Sequence, residues 1–350
     1  MASRAKRAFD LRRKLRRADF YLRGVARDAI PYALFAAARK RLFANLAPEQ
    51  VPPHIVDRVN YCMRHDAPFS LAHPGRIRDI ALGDGSFYYY DLRQYAKCFD
   101  PDLKIYYRFG DIIYVPDEPA IVKSRPIAGD NRNSVVMNLD KLRHFARFPD
   151  RLAFSAKART AVWRGAAYGH SGIRQALIRA HDAHPRHDIG YTGRRFEGFA
   201  PKPFLTPEEQ LRHRYVISVE GNEVATNLKW ILASQSLCLM PRPAYETWFM
   251  EGTLLPGVHY VELRPDFADL DDTIAYFDRH EDEARAIIAN ANAHAAKYAV
   301  ARDERLASLL ILQKYFEKSG QLPAEPFSAA LFDRPAAAAT RPLPSAPARS

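Results

Sequence analysis

The amino-acid sequence predicts an α/β protein of two domains, the second of which is Rossmann-like. Two observations lead to this fold class. The chain has 350 residues, of which 47% are hydrophobic, so it is long and apolar enough to form two cores. From about residue 160 onward, apolar strand-like stretches alternate with helical stretches across short connections. This alternation is typical of a mostly parallel sheet with helices on both faces.

The elements of the C-terminal half follow this alternation. The predicted strands are 160–163, 188–191, 215–219, 237–240 and 260–263. The predicted helices are 172–183, one that begins at Thr206, 224–234, 245–251 and one that begins at Leu270. Thr206 is followed by Pro207, Glu208 and Glu209, a sequence that favours an N-cap and a first helical turn.

The N-terminal half has a less regular pattern. Aromatic stretches at 86–90 and 104–109 predict strands, and 138–148 resembles a helix. A periodic helix at 305–318 either ends the second domain or crosses back to the first. We therefore expect a basic N-terminal segment at 1–50, an α/β domain at 51–155, a Rossmann-like domain at 156–300, a C-terminal helical segment at 301–333 and a disordered Pro- and Ala-rich tail at 334–350.

The positive charge is concentrated at the N-terminus. The whole chain carries a formal net charge of +12, and residues 1–41 hold thirteen Lys or Arg against three Asp, a net of +10. Interleaved apolar residues in this segment suggest a basic amphipathic helix on an anionic bilayer, which we assign to residues 1–28. The alternative is a helix packed on the body with a solvated basic face. No zinc-finger or RNA-binding pattern accompanies the charge, so we expect no nucleic-acid partner.

Apolar runs and cysteines indicate the cellular compartment. The longest apolar runs are shorter than a membrane span requires, and no signal-peptide pattern opens the chain, so we expect a cytoplasmic protein at the inner face of the inner membrane. Cys62, Cys98 and Cys238 are far apart and odd in number. That spacing argues against a disulfide framework and against a structural zinc site.

The turn after the 215–219 strand is the strongest local signal for a ligand. Gly221 stands between this strand and the predicted 224–234 helix, where free backbone N–H groups and close approach would suit a diphosphate. The polar residues of the turn are Asn222, Thr226, Asn227 and Lys229. An ordinary strand–turn–helix connection is the alternative.

Two further basic clusters precede this turn. Arg164 and Gly165 end the first strand of the half, and Arg174 begins the next helix, so both arginines are placed to reach a phosphate. Pairing of Arg164 with a structural carboxylate is the alternative. Lys123 and Arg125 lie in a dense polar stretch and are additional candidates, with a buried hydrogen-bonded turn as the competing interpretation.

Asp111 is the candidate general base. It follows an aromatic strand directly, and an attacking sugar hydroxyl needs its proton removed. An Asp after a Gly is also a common turn residue. Asp269 and Asp271 match the D-x-D pattern of metal-dependent sugar transferases, but they stand at a predicted helix start, so we assign them to capping and expect no metal site.

Together these motifs resemble glycosyltransferase family 90, in particular its bacterial lipopolysaccharide branch. The resemblance runs from about residue 106 to about residue 320. It depends on the order of five motifs, which are Tyr-Arg-Phe-Gly-Asp111, Lys123-Ser-Arg-Pro126, Trp163-Arg-Gly165 with Arg174, Glu220-Gly-Asn with Leu228-Lys229, and Tyr245-Glu-Thr-Trp-Phe-Met250 with Pro256-Gly-Val-His-Tyr260.

The resemblance implies a GT-B fold, with two Rossmann-like domains facing across a cleft, the acceptor on the first and the donor on the second. It implies an inverting transferase with a UDP-sugar donor, a lipopolysaccharide or related glycan acceptor and no required metal or other cofactor. Asp111 matches the catalytic position, and Arg164, Gly165 and Arg174 match donor-phosphate positions. The positions matching the diphosphate turn are Gly221, Asn222, Glu223, Thr226, Asn227 and Lys229.

One position departs from the family pattern. Many relatives carry an arginine where this chain has Asn227. The diphosphate charge must then be met by other cations, for which Arg125, Arg164, Arg174 and Lys229 are the candidates. The competing hypothesis for the whole chain is a non-catalytic membrane-surface protein, whose basic N-terminal helix is carried by an α/β scaffold.

Overall fold

A computed structural model describes residues 4–72 and 74–333 of the chain. The predicted tail at 334–350 lies outside these residues. The α-helices are α1 Arg4–Ala29, α2 Tyr32–Ala44, α3 Pro53–Cys62, α4 Ser86–Ala96, α5 Lys141–His144, α6 Ile173–His181, α7 Pro207–Gln210, α8 Leu228–Leu232, α9 Leu270–Arg279, α10 Glu281–Ala296, α11 Ala301–Lys318 and α12 Ser328–Phe332. The β-strands are β1 Gly75–Arg76, β2 Lys104–Ile105, β3 Tyr107–Arg108, β4 Ala120–Val122, β5 Ser124–Pro126, β6 Ser134–Val136, β7 Ala158–Ala166, β8 Asp188–Thr192, β9 His213–Ile217, β10 Leu237–Met240, β11 Tyr245–Thr247 and β12 Val261–Glu262.

Two parallel sheets organise the chain. The larger sheet has five strands in the order β12-β10-β9-β7-β8, and each neighbouring pair is parallel. The smaller sheet, in the N-terminal half, has the order β3-β4-β6 and is also parallel. The predicted α/β class is therefore confirmed.

Both faces of the large sheet are buried, because side chains alternate between the two faces along each strand. Trp163 and Tyr215 belong to one core, which also contains the apolar faces of α6, α9 and the first half of α10. Val162 and Val216 face the other way. There they join a core that continues into the N-terminal half of the chain.

Helix α11 returns to the N-terminal half. It packs on α3 and α4, and its side chains from Leu309 to Leu312 are fully buried. A second link is the antiparallel pair of β5 with β11, in which Ser124 faces Thr247. The two halves are thus connected both by a shared core and by backbone hydrogen bonds.

Four predicted elements are wrong in type or length. The 138–148 stretch is helical only over α5, Lys141–His144. The aromatic 86–90 stretch is helical, because Tyr89 and Tyr90 bury their rings as part of α4. The 245–251 stretch holds the short strand β11, since Tyr245 to Thr247 pair with the distant β5. The 224–234 helix is shorter than predicted, since α8 begins only at Leu228 and ends at Leu232.

Helix α1 lies against the body. Phe20 and Tyr21 contact the ring of Tyr90, and Gly24 is buried against the same ring. Lys97 donates hydrogen bonds to three backbone carbonyls at the end of α1 and in the following turn. In the described part of the chain, no helix combines the length and apolar character needed to cross a membrane.

Candidate active site

The first part of the site forms at the carboxyl end of the small sheet. Strands β3 and β4 are parallel, with Tyr107 opposite Ile121, so the residues that follow them lie at the same edge. Asp111 comes just after β3 and Lys123 just after β4. Lys123 Nζ donates to Asp111 Oδ1 at 2.5 Å and to Glu223 Oε1 at 2.6 Å.

Arg143, which the sequence did not single out, completes this cluster. It belongs to the short helix α5, and its Nη2 donates to Asp111 Oδ1 at 2.8 Å. Its Nε lies 2.7 Å from Asp140 Oδ2, an ion pair one helical turn apart. Arg143 has no sequence signature that distinguishes it from the other arginines of the segment.

Residues of the second half reach the same carboxylate. Asn222, in the connection between β9 and α8, donates to Asp111 Oδ2 at 3.3 Å. Glu223 is buried beside it and holds Lys123 from the opposite side. The structure thus brings together four of the predicted residues, which are Asp111, Lys123, Asn222 and Glu223.

The cations around Asp111 control its protonation. Burial alone would raise the pKa of Asp111, but the hydrogen bonds and positive charges of Lys123 and Arg143 outweigh it. The pKa of this carboxyl is therefore held well below its ordinary value. Asp111 is ionised at neutral pH, yet it is a weak base while both cations remain in contact.

Arg174 lies at the carboxyl edge of the large sheet. Its Nε donates to the carbonyl of Glu220 at 3.0 Å, and its guanidinium lies against Gly221. A Cβ at position 221 would come within 2.5 Å of Arg174 Nη2, so any larger residue there would displace this guanidinium. Burial lowers the pKa of Arg174, and no acidic side chain pairs with it among the described residues. Its positive charge is therefore uncompensated by the protein.

The other predicted cations are already paired with buried or half-buried carboxylates. These ion pairs tie strands and turns together, as the alternative interpretation of Arg164 proposed. The pairs are Arg164 with Asp188 at 2.6 Å, Arg125 with Glu246 at 2.7 Å and Lys229 with Glu251. Arg174 is thus the predicted phosphate ligand whose charge remains available.

The Gly221 turn differs from the expected helix start. Helix α8 begins seven positions later, at Leu228, and the N–H of Gly221 donates to the carbonyl of Glu223 at 3.0 Å. Asn227 is turned back toward β9, where its amide donates to the carbonyl of Ile217 and accepts from Ser218. A diphosphate at this turn would therefore depend on side chains more than on helix N–H groups. At position 165, a Cβ would lie 2.8 Å from the Trp163 ring, so the packing of this ring leaves room only for glycine.

A cavity of about 550 Å³ adjoins this site. Its walls are formed by α1, α5, the 203–210 connection and the start of α8. Among its lining residues are Arg143, Arg164, Thr226, Asn227 and Trp230. Arg143 therefore lines the cavity and also contacts Asp111. The volume lies in the range of small-molecule sites, which is about 300–1,000 Å³.

Asp269 is the N-cap residue of α9 and Asp271 lies in its first turn, as predicted, but the Asp269 side chain makes no cap hydrogen bond. The Asp269 carboxylate accepts the N–H of Arg264, and Asp271 accepts from His184 at 3.1 Å and His187 at 2.9 Å. Both His Nδ1 atoms lie 3.2 Å from backbone N–H groups, an arrangement in which Nε2 carries the proton. The ligand atoms of this trio lie within 4.8 Å of one another. The trio stands at the amino end of β8, whereas Arg174 and Gly221 lie at the carboxyl edge.

Comparison with known proteins identifies the family. The sequence profile of glycosyl transferase family 90 matches residues 137–307. O-glucosyltransferase LpsA of Dichelobacter nodosus is 42% identical over 312 residues, which are 87% of this chain and 96% of that protein. Protein O-glucosyltransferase 2 of Danio rerio is 33% identical over 76 residues, 22% of this chain and 15% of that protein.

These matches confirm the family resemblance that the sequence motifs predicted. They favour the transferase hypothesis over the non-catalytic scaffold, because the LpsA match spans nearly the whole of that protein. The chain belongs to glycosyl transferase family 90 and is a glycosyltransferase.

Proposed function

We propose that the chain transfers a sugar, with inversion, from a UDP-sugar donor to a lipopolysaccharide core or related glycan acceptor, without a metal ion. The observation that carries this proposal is the position of Asp111, a carboxylate between residues of both halves and next to an arginine-lined cavity. The name of the Dichelobacter nodosus relative supports a glucosyl donor.

In this mechanism Asp111 removes the proton of the attacking acceptor hydroxyl. General bases act best when their pKa lies near the working pH, and the pKa of Asp111 is far below it with both cations in contact. Arg143 reaches Asp111 from the cavity wall, so a diphosphate in the cavity competes with Asp111 for this guanidinium. Donor binding thereby raises the pKa of Asp111, which makes it a stronger base once the donor is in place.

The acceptor oxygen bonds to the anomeric carbon of the sugar as the bond from that carbon to the diphosphate oxygen breaks, so the leaving diphosphate takes up negative charge. Arg174 is the assigned cation at the carboxyl edge of the large sheet, because no acid among the described residues neutralises it. Removal of one such donor typically costs about 3–4 kcal/mol of transition-state stabilisation. We assign the small and large parallel sheets to the acceptor and donor halves of a GT-B arrangement, with Asp111 and Asn222 on facing sides of the cleft.

A membrane contact is part of the proposal. On α1, Leu11, Leu15, Leu22 and Val25 are each more than half exposed, and their spacing places them on one side of the helix. Basic residues flank this apolar stripe, which suits the surface of an anionic bilayer. The contact would hold the protein at the cytoplasmic face of the membrane, next to a lipid-linked acceptor.

Transfer of labelled glucose from UDP-glucose to lipopolysaccharide acceptors, together with calorimetry of UDP binding, tests the function. We expect UDP to bind and a glycan product to form. A full-length protein that binds no UDP and transfers no sugar would contradict the proposal.

A further inference from the structure

Helix α1 forms one wall of the cavity that adjoins Asp111. The ring of Phe9 packs against Phe148 at 6.2 Å and Phe204 at 5.7 Å between ring centroids. Arg12 Nη2 forms an ion pair with Glu208 Oε1 at 2.6 Å. These contacts attach the N-terminal part of α1 to the body at the cavity mouth, so the helix is a structural component of the cavity.

The lining of the cavity contains more arginines than acidic residues. Six arginines line it, which are Arg12, Arg13, Arg16, Arg143, Arg147 and Arg164. Glu208 is the acidic residue in the same lining, and it is paired with Arg12. Arg13 Nη2 lies 3.8 Å from Asp10 Oδ1, a long ion pair within α1. Arg16 donates to the carbonyl of Leu142, and among the described residues no acid pairs with it or with Arg147. Such a surface recognises a ligand with several negative charges.

We propose that α1 is part of the donor site and that Arg13 and Arg16 bind the phosphates of the nucleotide sugar in addition to Arg174. This inference depends on the proposed function. The opposite wall carries Arg164, whose charge is neutralised by Asp188, and Asn227, whose amide is turned toward β9. That wall therefore offers little free positive charge, and α1 supplies it from the facing side.

Helix α1 therefore contributes to two surfaces, the cavity and the exposed apolar stripe. Arg12, Arg13 and Arg16 line the cavity. The stripe that contains Leu11, Leu15 and Leu22 is exposed and absent from the cavity lining. Occupation of the donor site and contact with a lipid surface are therefore separable by substitution.

The test is calorimetry of UDP binding to the full-length protein at fixed ionic strength. The double variant Arg13→Gln/Arg16→Gln leaves the Arg12–Glu208 pair in place, so α1 stays attached. We expect UDP to bind about tenfold more weakly for each arginine–phosphate hydrogen bond that the substitutions remove. Arg16→Lys, combined with native Arg13, keeps the charge and should retain most of the affinity.

The matched control is Lys14→Gln/Arg23→Gln, which removes two charges from the same helix outside the cavity lining. We expect it to bind UDP like the wild type. The inference is wrong if the Arg13/Arg16 variant keeps wild-type affinity, or if the control loses as much. Absence of UDP binding by the wild type would overturn the donor assignment itself, and the role of α1 with it.

Discussion

Arg143 and Lys123 donate to the same oxygen, Oδ1, of Asp111, at 2.8 and 2.5 Å. Lys123 is buried and held from behind by Glu223, whereas the Arg143 side chain is 41% exposed. Of the two cations, Arg143 is therefore the one that a ligand entering the cavity can draw away. In the proposed mechanism, the basicity of Asp111 then depends on the occupancy of the cavity.

Replacing Asp111 with Asn should separate catalysis from binding. Asn keeps the shape of the side chain but cannot take a proton, so we expect turnover to fall by roughly 100-fold or more. UDP affinity should stay near the wild-type value. Initial rates with labelled donor and calorimetry measure the two quantities, and a fully active variant would remove Asp111 from the mechanism.

Replacing Arg143 with Gln should change the pH dependence of the reaction. Loss of an adjacent cation raises the pKa of Asp111, so protonation of the base begins at a higher pH. The acidic limb of the kcat/KM profile should therefore move to higher pH. Arg147→Gln, which changes the same cavity without a contact to Asp111, is the control. An unmoved limb in Arg143→Gln would mean that Arg143 does not set this pKa.

The strand–helix alternation of the C-terminal half was predictable because buried parallel strands are short apolar runs. The 188–191 and 237–240 strands fall within or coincide with β8 and β10. The predictions for the 86–90 and 245–251 stretches were wrong for the same reason. Tyr90 is helical because it packs on α1, and Tyr245 is extended because it pairs with Pro126. Neither partner is near in sequence.

The residues of the candidate site, like the elements of the fold, were predicted in part. Asp111 was found because it follows an aromatic strand, and Lys123 because it lies in a dense polar stretch. The parallel pairing of β3 with β4 then brings both to one edge. The pairing of cations was not predictable. The partner of Arg164 is 24 positions away and the partner of Lys229 is 22 positions away, so only the folded chain shows which charges are neutralised.

Glu220 should make stability depend on pH. Burial raises its pKa from 4.5 to about 7, although it accepts the N–H groups of Ala244 and Tyr245. Its contribution to stability is complete below 4.5 and is lost as the pH rises through about 7. Glu220→Gln mimics the protonated form, so it should raise the free energy of unfolding well above pH 7 by on the order of 3 kcal/mol. Urea titrations at several pH values measure this, and an equal effect at acidic pH would show a cause other than titration.

Chelation tests the proposal that the transfer reaction needs no metal ion. The pairing of Asp271 with two imidazoles and Arg186 fits hydrogen bonding, and the trio lies at the opposite edge of the sheet from Arg174. We expect EDTA to leave transfer activity largely intact. The His184→Gln variant should retain the wild-type rate. Loss of activity on chelation, restored by a divalent cation, would contradict the metal-independent mechanism.

The exposed stripe of α1 should control vesicle binding. Full burial of a leucine side chain contributes about 1.5–3 kcal/mol, so Leu11→Gln/Leu15→Gln/Leu22→Gln should nearly abolish sedimentation with vesicles of phosphatidylcholine and phosphatidylglycerol. Substitution is preferable to removal of residues 1–28, because α1 also lines the cavity. Binding by the wild type should weaken as salt rises, since charges are screened over about 8 Å at physiological ionic strength. UDP affinity of the triple variant should be unchanged. If this variant sediments like the wild type, or the wild type never binds, α1 is a structural helix with a solvated basic face.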